Sequence, residues 1–369
     1  MIRVLIAGGG TGGHLMPALA IAEGLRARRP DLEPVLVGAM RGIEATLLPT
    51  RDFRHYLLPA EPLYRRQWWK NVRWPFVFAG LMRGVRDVFR REQPALVIGT
   101  GGYASAPVVW HAVRRRIPCA VQEQNAFPGL ANRWLARRVN EVWLGLPEAR
   151  AHLAPGPHTI LVDTGNPILA PTPQRREAAA RRFAFPPGRP VVLVTGGSQG
   201  AFALNRVVAA WVQAHRGTPP VNLLWVTGRA TYSQFASLHR PQGAVQVVDF
   251  LDPMADGYAI ADLVVGRAGM LTVAELCAWG LPSILVPLPT AAADHQTLNA
   301  KALAAAGAAD WIPQHDLTPA TLGAAIDGIL ADARRRAAMA AAARARGRPE
   351  ATAVIVERAL GLIHERGMD

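Results

Sequence analysis

Val4-Leu5-Ile6-Ala7 runs straight into Gly8-Gly9-Gly10-Thr11-Gly12-Gly13-His14, and Val191-Val192-Leu193-Val194-Thr195 runs into Gly196-Gly197-Ser198-Gln199-Gly200-Ala201. Each stretch reads as a buried strand ending in a glycine loop that opens a helix. Such a loop brings bare backbone N–H groups to a helix N-terminus, where partial positive charge favours phosphate or a developing negative charge. One loop of this kind suggests a nucleotide domain. Two, about half the chain apart, predict an α/β protein of two Rossmann-like, doubly wound parallel-sheet domains facing a cleft.

Working outward, short apolar runs recur with helical stretches between them, the pattern of a sheet covered on both faces. The first half offers strands at Val4–Ala7, Pro34–Val37, Ala95–Gly99, Cys119–Gln122 and Glu141–Leu144. The second offers Val191–Thr195, Asn222–Thr227, Val245–Phe250, Leu263–Gly266 and Ser283–Val286. The pattern breaks near Asp163-Thr164-Gly165-Asn166-Pro167, with Pro171, Pro173, Pro186 and Pro187 following, and this is the hinge candidate. Domains of 1–163 and 164–345 are therefore expected. The tail from about 346 to 369 has apolar residues at helical spacing over Glu350–His364 and is expected to return to the first domain.

At 369 residues the chain can build two full cores. Its formal net charge is +14, and only Lys70 and Lys301 are lysines. An arginine bias of this kind follows from GC-rich coding and is not read as nucleic-acid chemistry. Cys119 and Cys277 stand far apart beside apolar runs and read as small buried hydrophobes in a reducing compartment. No basic-then-apolar leader precedes the first strand, and no apolar run approaches the roughly 20 residues that span a bilayer. The expectation is a cytoplasmic protein that touches a membrane. In Pro62–Arg91, Trp68, Trp69, Trp74 and Phe76 interleave with cations, a composition that suits single-stranded nucleic acid, a core helix with a basic face or an anionic bilayer surface; three tryptophans within seven residues favour the bilayer.

Gly8, Gly10 and Gly13 satisfy G-x-G-x-x-G, yet the second strand ends Leu36-Val37-Gly38-Ala39 without the carboxylate that a dinucleotide site places on the ribose. His14 fits such a site poorly. At a helix start, however, the dipole disfavours imidazolium, so His14 is suited to act as a neutral general base. Further glycine turns follow strands at Gly99-Thr100-Gly101-Gly102-Tyr103 and at Gly266-Arg267-Ala268-Gly269. The latter leads into Met270-Leu271-Thr272-Val273-Ala274-Glu275, whose lone carboxylate stands where it can hold both ribose hydroxyls of a nucleotide. Polar clusters at Gln122-Glu123-Gln124-Asn125 and Asp294-His295-Gln296 also follow strands and suit sugar hydroxyls. No Asp-x-Asp pair and no His/Cys cluster with metal spacing occurs. Diphosphate charge would fall to helix N-termini and arginine, with no metal or cofactor required.

These residues, in this order and almost end to end, resemble the MurG family, the bacterial transferases that add N-acetylglucosamine to the lipid-linked muramyl-pentapeptide of cell-wall synthesis. The matching stretches are Gly9–His14, Gly101-Gly102-Tyr103, Glu123-Gln124-Asn125, Gly165-Asn166-Pro167, Gly196–Ala201, Arg267 through Glu275 and Asp294–Asn299. The resemblance implies a GT-B fold and an inverting hexosyltransferase that needs no metal. It implies UDP-N-acetylglucosamine as donor, met by Ser198, Gln199, Gly200, Leu251, Arg267, Met270, Leu271, Thr272, Glu275 and Gln296, with Thr11, Gly12, Gly13 and Asn125 approaching from the first domain. The lipid-linked acceptor (lipid I) would meet Gly10, Thr11, Gly13, Tyr103 and Glu123, and His14 would take the proton of its 4-hydroxyl. A peripheral place on the cytoplasmic face of the inner membrane follows, with cell-wall synthesis proteins as partners and no nucleic acid.

Two positions depart from the pattern. Ile168-Leu169 stand where the family usually has Val-Arg, and Phe202 stands where a basic or polar residue is common. Both changes remove cations from the donor-diphosphate region. Alternatives are a diacylglycerol glycosyltransferase, which would not be expected to carry the whole first-half motif set, or a UDP-N-acetylglucosamine 2-epimerase, which needs no lipid acceptor and leaves Trp68, Trp69 and Trp74 unexplained. A basic nucleic-acid-binding protein would give the glycine loops no role and would bind with steep salt dependence.

Overall fold

The computed structural model describes residues 1–61, 72–197 and 200–364. Trp68, Trp69, Ser198 and Gln199 lie outside them. The chain folds as two compact units, Met1–Leu169 with Glu350–Asp369, and Ala170–Pro349.

In the first unit the order is β1 Ile2–Gly8, α1 Gly12–Arg28, β2 Leu32–Ala39, α2 Glu44–Leu47, β3 Arg54–Leu58, α3 Trp74–Glu92, β4 Leu96–Gly101, α4 Ser105–Arg114, β5 Cys119–Glu123, α5 Leu130–Leu135, β6 Glu141–Leu144 and β7 Ile160–Asp163. The second unit holds α6 Arg176–Phe183, β8 Val191–Thr195, α7 Phe202–Ala214, β9 Asn222–Val226, α8 Tyr232–Phe235, β10 Val245–Val248, α9 Ala255–Ile260, β11 Leu263–Gly266, α10 Met270–Trp279, β12 Ser283–Leu285, α11 His295–Ala305, β13 Asp310–Trp311, α12 Pro319–Leu330 and α13 Ala333–Arg346. The last helix, α14 Ala351–His364, belongs to the first unit.

Among the described residues both sheets are wholly parallel. The first runs β3-β2-β1-β4-β5-β6-β7 and the second β10-β9-β8-β11-β12-β13. A strand buried on both faces needs a continuous apolar run, which Val4–Ala7 and Val192–Val194 supply at no more than 1% exposure. The strand order reverses direction between β1 and β4, and again between β8 and β11. These are topological switch points, where open α/β sheets hold ligands outside their carboxyl ends. Each glycine loop leaves a strand at such a point.

Three strands escape the apolar-run reading. β3 (RHYLL), β7 (ILVD) and the two-residue β13 are edge strands, so one row of backbone groups and part of each face stay open and little apolar periodicity is needed. The chain passes from the first unit to the second between Leu169 and Ala170, inside the proline-marked stretch. Asn166 accepts from Gln122 Nε2 at 2.8 Å and donates to the Gln124 carbonyl at 3.1 Å, both within the first unit. The Ile168 side chain is buried and its carbonyl accepts from Thr352 Oγ1 at 3.3 Å. Gly165-Asn166-Pro167 is thus fastened to the first sheet, and the chain leaves that unit after Leu169.

The tail helix packs where its periodicity points. Ile355, Val356, Ala359 and Ile363 join Leu15, Ala18 and Ala22 of α1 in one buried cluster. Gly24 lets the two helices close, since a Cβ there would stand 2.8 Å from Val356 Cγ2. Arg358 adds an ion pair to Glu141 of β6, whose other hydrogen bond comes from Trp143 Nε1.

Candidate active site

In the first unit the glycines following β1 and β4 fall into two groups. Gly8, Gly9, Gly10, Gly101 and Gly102 are required from within. A Cβ would meet Thr100 Oγ1 at 1.9 Å from Gly8, Glu44 Oε1 at 2.3 Å from Gly9, and the Tyr103 ring at 2.9 Å from Gly10. At Gly102 it would meet the Gly9 carbonyl oxygen at 2.0 Å. Gly12 and Gly13 differ. A Cβ on Gly12 meets nothing within 4 Å, and one on Gly13 meets only Thr11 Oγ1 at 3.6 Å, neither with a positive φ. No packing reason keeps these two positions small. They form the first turn of α1, and the side chain of its N-cap residue, Thr11, makes no capping bond, so the N–H groups there face outward.

His14 is the third residue of α1. Its Nδ1 lies 3.1 Å from the Thr100 carbonyl oxygen, which can only accept, so Nδ1 carries the proton and the basic lone pair is on Nε2. Thr100 grips the same residue twice, because its hydroxyl donates to the His14 carbonyl at 2.8 Å. A Cβ on Gly101 would stand 2.5 Å from His14 Nδ1, with φ at +102°. The ring therefore lies against bare backbone. Gln124 Nε2 donates to the same Thr100 carbonyl at 2.6 Å, joining β5 to this arrangement.

Two first-half residues have inward roles that the sequence reading did not foresee. Glu123 is 2% exposed; Oε1 accepts from the Asn125 backbone and side chain, and Oε2 from Gly129 N and Asn132 Nδ2. The carboxylate braces the loop bearing Asn125. The Gly10 N–H is likewise spent on Glu44, at 2.8 Å to each carboxylate oxygen.

In the second unit α7 and α10 begin at Phe202 and Met270 after β8 and β11, and neither has a side-chain cap. Gly200 is fixed by φ +74° and by the Thr227 carbonyl 2.4 Å from where its Cβ would stand, whereas a Cβ on Gly269 meets nothing within 4 Å. Met270, Leu271 and Thr272 form the first turn of α10, and Glu275 follows one turn later. Tyr258 Oη donates to Glu275 Oε2 at 2.7 Å. Burial raises the Glu275 carboxyl above the usual range while the tyrosine hydrogen bond pulls it back. Leu251 is buried against α9, near Gly257.

Arg267 is 8% exposed and donates to the Val286 and Pro287 carbonyls at 3.1 Å and to Gln314 Oε1 at 2.7 Å. It forms no ion pair among the described residues, and burial lowers its pKa. A desolvated guanidinium held only by neutral oxygens favours an incoming anion. Gln296 accepts from Leu288 N–H at 3.0 Å, which turns its NH2 group away from that strand end. Phe202 and Leu169, the two departures, are 47% and 81% exposed. Arg206, one turn after Phe202, lies 6.0 Å from its ring centre.

Glu44 and Tyr258 were not singled out from sequence; Thr100, Gln122 and Asn166 stood in motifs without the partners they have here. The signal for Glu44 was its solitary carboxylate among Gly38, Gly42 and apolar neighbours. No group of three or more His, Cys, Asp or Glu side chains among the described residues has metal-holding geometry. No described helix is long and apolar enough to cross a membrane.

Two parallel-sheet units, each with a glycine loop and a helix start at its switch point, are the GT-B architecture. Residues 4–144 match the glycosyltransferase family 28 N-terminal domain and residues 191–355 its C-terminal domain. The chain is 40% identical to the UDP-N-acetylglucosamine–N-acetylmuramyl-(pentapeptide) pyrophosphoryl-undecaprenol N-acetylglucosamine transferase of Desulforudis audaxviator, covering 96% of this chain and 97% of that protein. It is also 40% identical to the transferase of the same name from Salinibacter ruber, covering 98% and 96%. The crystal structure of Acinetobacter baumannii MurG superposes with a TM-score of 0.77 at 27% identity, covering 98% of this chain and all of that one (100%). The chain belongs to glycosyltransferase family 28, in its MurG branch, and is a hexosyltransferase.

Proposed function

We propose that this chain transfers N-acetylglucosamine from UDP-N-acetylglucosamine to the muramyl 4-hydroxyl of undecaprenyl-diphospho-muramoyl-pentapeptide, the lipid I to lipid II step of peptidoglycan synthesis, with inversion and without a metal. The observation that carries the reading is the pair Gly12 and Gly13, small without internal need, beside an imidazole whose Nδ1 is committed to a carbonyl. The acceptor diphosphate lies against the N–H groups of Thr11, Gly12 and Gly13, with Tyr103 beside it. His14 Nε2 takes the proton as the hydroxyl oxygen bonds to the anomeric carbon, and the bond from that carbon to the UDP oxygen breaks on the opposite face. The Thr100 carbonyl stabilises the imidazolium formed.

The donor belongs to the second unit. Glu275 accepts from the ribose hydroxyls, backbone near Leu251 faces the uracil, and Gln296 and Asn125 address the sugar. Ser198, Gln199, Gly200 and the first turn of α10 meet the diphosphate, with Arg267 offsetting the charge of the departing UDP. Arg206 supplies a cation that Leu169 and Phe202 do not.

Membrane contact is made by the start of α3, where Phe76 is 81% exposed, Phe78 is 39% exposed and the Trp74 and Phe78 rings stack at 5.1 Å. Arg83, Arg86 and Arg90 follow along the helix and, with Arg115, line a groove of about 990 Å³. Aromatic rings beside an arginine groove suit the headgroup level of an anionic bilayer on the cytoplasmic face.

The test is transfer of radiolabelled N-acetylglucosamine onto a short-chain lipid I analogue in EDTA, with sedimentation on anionic vesicles alongside. Labelled β-linked disaccharide-lipid supports the reading. Transfer only on adding a divalent metal, or none with UDP still bound, overturns it. Replacing Trp74 and Phe76 by Ser should reduce co-sedimentation without unfolding the protein.

A further inference from the structure

Glu44 opens the short helix α2, is fully buried, and has no cationic partner among the described residues. Its carboxylate lies under the first glycine loop. Both oxygens accept from Gly10 N–H at 2.8 Å, and Oε1 also accepts from Ala39 N–H at 3.2 Å, at the end of β2. Three glycines clear the space around it. A Cβ would stand 2.3 Å from Oε1 on Gly9, 2.8 Å from Cγ on Gly38 and 2.7 Å from Oε2 on Gly42, the last with φ +105°. A buried carboxylate without a cation is costly, and one enclosed by three glycines is held for what it does to the backbone above it.

Gly10 sits between two constraints: its N–H points down to Glu44, and its α-carbon lies against the Tyr103 ring, with φ at +89°. This fixes the turn from which Thr11, Gly12 and Gly13 continue into α1. We infer that Glu44 is a positioning residue for the acceptor: by taking the Gly10 N–H it sets the loop so that the next three N–H groups converge on the acceptor diphosphate. The inference rests on the placement of the acceptor at Thr11–Gly13 proposed above. What matters is an accepting oxygen at glutamate's reach, since negative charge beneath a diphosphate site opposes the ligand. Glutamine should therefore serve better than aspartate, which keeps the charge but is one methylene short.

The experiment compares Glu44→Gln, Glu44→Asp and Glu44→Ala with wild type for KM of both substrates, using the short-chain lipid I analogue, with thermal melting recorded. Glu44→Asp and Glu44→Ala should raise the acceptor KM by roughly 10- to 100-fold, the loss of a hydrogen bond to a charged group. Glu44→Gln should restore most of it, and the KM for UDP-N-acetylglucosamine should stay within about twofold throughout. An unchanged acceptor KM in the aspartate variant, aspartate outperforming glutamine, or a parallel rise in donor KM overturns the inference. Should Glu44→Ala fail to fold, the Gln and Asp pair carries the comparison. Gly12→Ala separates the two levels: it should raise the acceptor KM, because its methyl meets only ligand. If it does not, the loop assignment itself fails. If it does while the Glu44 variants match wild type, only the role of Glu44 fails.

Discussion

The two glycine loops leave equivalent strands and are held in different ways. The loop after β1 rests on the Glu44 carboxylate and lies against a histidine on its own helix, whose ring is pinned by Thr100 across the switch point. At Gly200, the loop after β8 rests on neutral groups. The Thr227 carbonyl stands under Gly200 and is held by Asn205 Nδ2 at 2.8 Å, while Asn205 accepts from Trp225 Nε1 at 2.9 Å. In the second unit Glu275 stands one helix away, on α10, where its carboxylate accepts from Tyr258 Oη. Two glycine loops that leave corresponding strands are thus supported by different chemistry. On the proposed function, the loop beside His14 serves the chemistry and the unit bearing Glu275 on α10 serves recognition of the nucleoside.

The largest expected break in this contrast is His14→Ala, which should lower kcat by roughly 10²- to 10⁴-fold, the usual weight of a general base. Turnover within about threefold of wild type would remove His14 from that role. Next comes pH. Burial lifts the Glu275 carboxyl above 4.5, so on acidification the ionised acceptor of the ribose hydroxyls is lost at a higher pH than for an ordinary glutamate. The Tyr258 hydrogen bond opposes this shift. Tyr258→Phe should therefore move the acid limb of UDP affinity to higher pH, and a limb that stays or moves to lower pH would contradict the pairing. The smallest effect separates glycines that the fold requires from those it leaves open. Gly101→Ala should destabilise by about 1–3 kcal/mol, since its φ and the His14 ring both oppose a Cβ. Gly12→Ala should alter stability by less than about 1 kcal/mol. Equal melting temperatures for the two would undo the distinction.

Much of the fold was legible because its signals are local. A buried parallel strand must be apolar throughout, and a glycine loop is contiguous, so β1, β8 and their helices could be read directly. At Gly165-Asn166-Pro167, glycine and proline mark a break in the chain without saying what the intervening Asn166 binds, here Gln122 and the Gln124 carbonyl. The supporting groups of the site were silent for a related reason. Glu44 lies 34 residues from Gly10 and Thr100 lies 86 from His14, and a single sequence does not encode which distant polar group meets which N–H. Glu123 was silent in the same way: a carboxylate at a strand end does not announce that the loop beyond it supplies Asn125, Gly129 and Asn132 as donors.

The division of labour between the units is tested most directly by measuring UDP affinity calorimetrically for His14→Ala and Glu275→Ala beside wild type. His14→Ala should bind UDP within about twofold of wild type. Glu275→Ala should bind it roughly 10-fold more weakly or worse, having lost charged hydrogen bonds to the ribose. Undiminished affinity in Glu275→Ala, or an equal loss in both variants, would contradict the assignment of donor and acceptor to separate units.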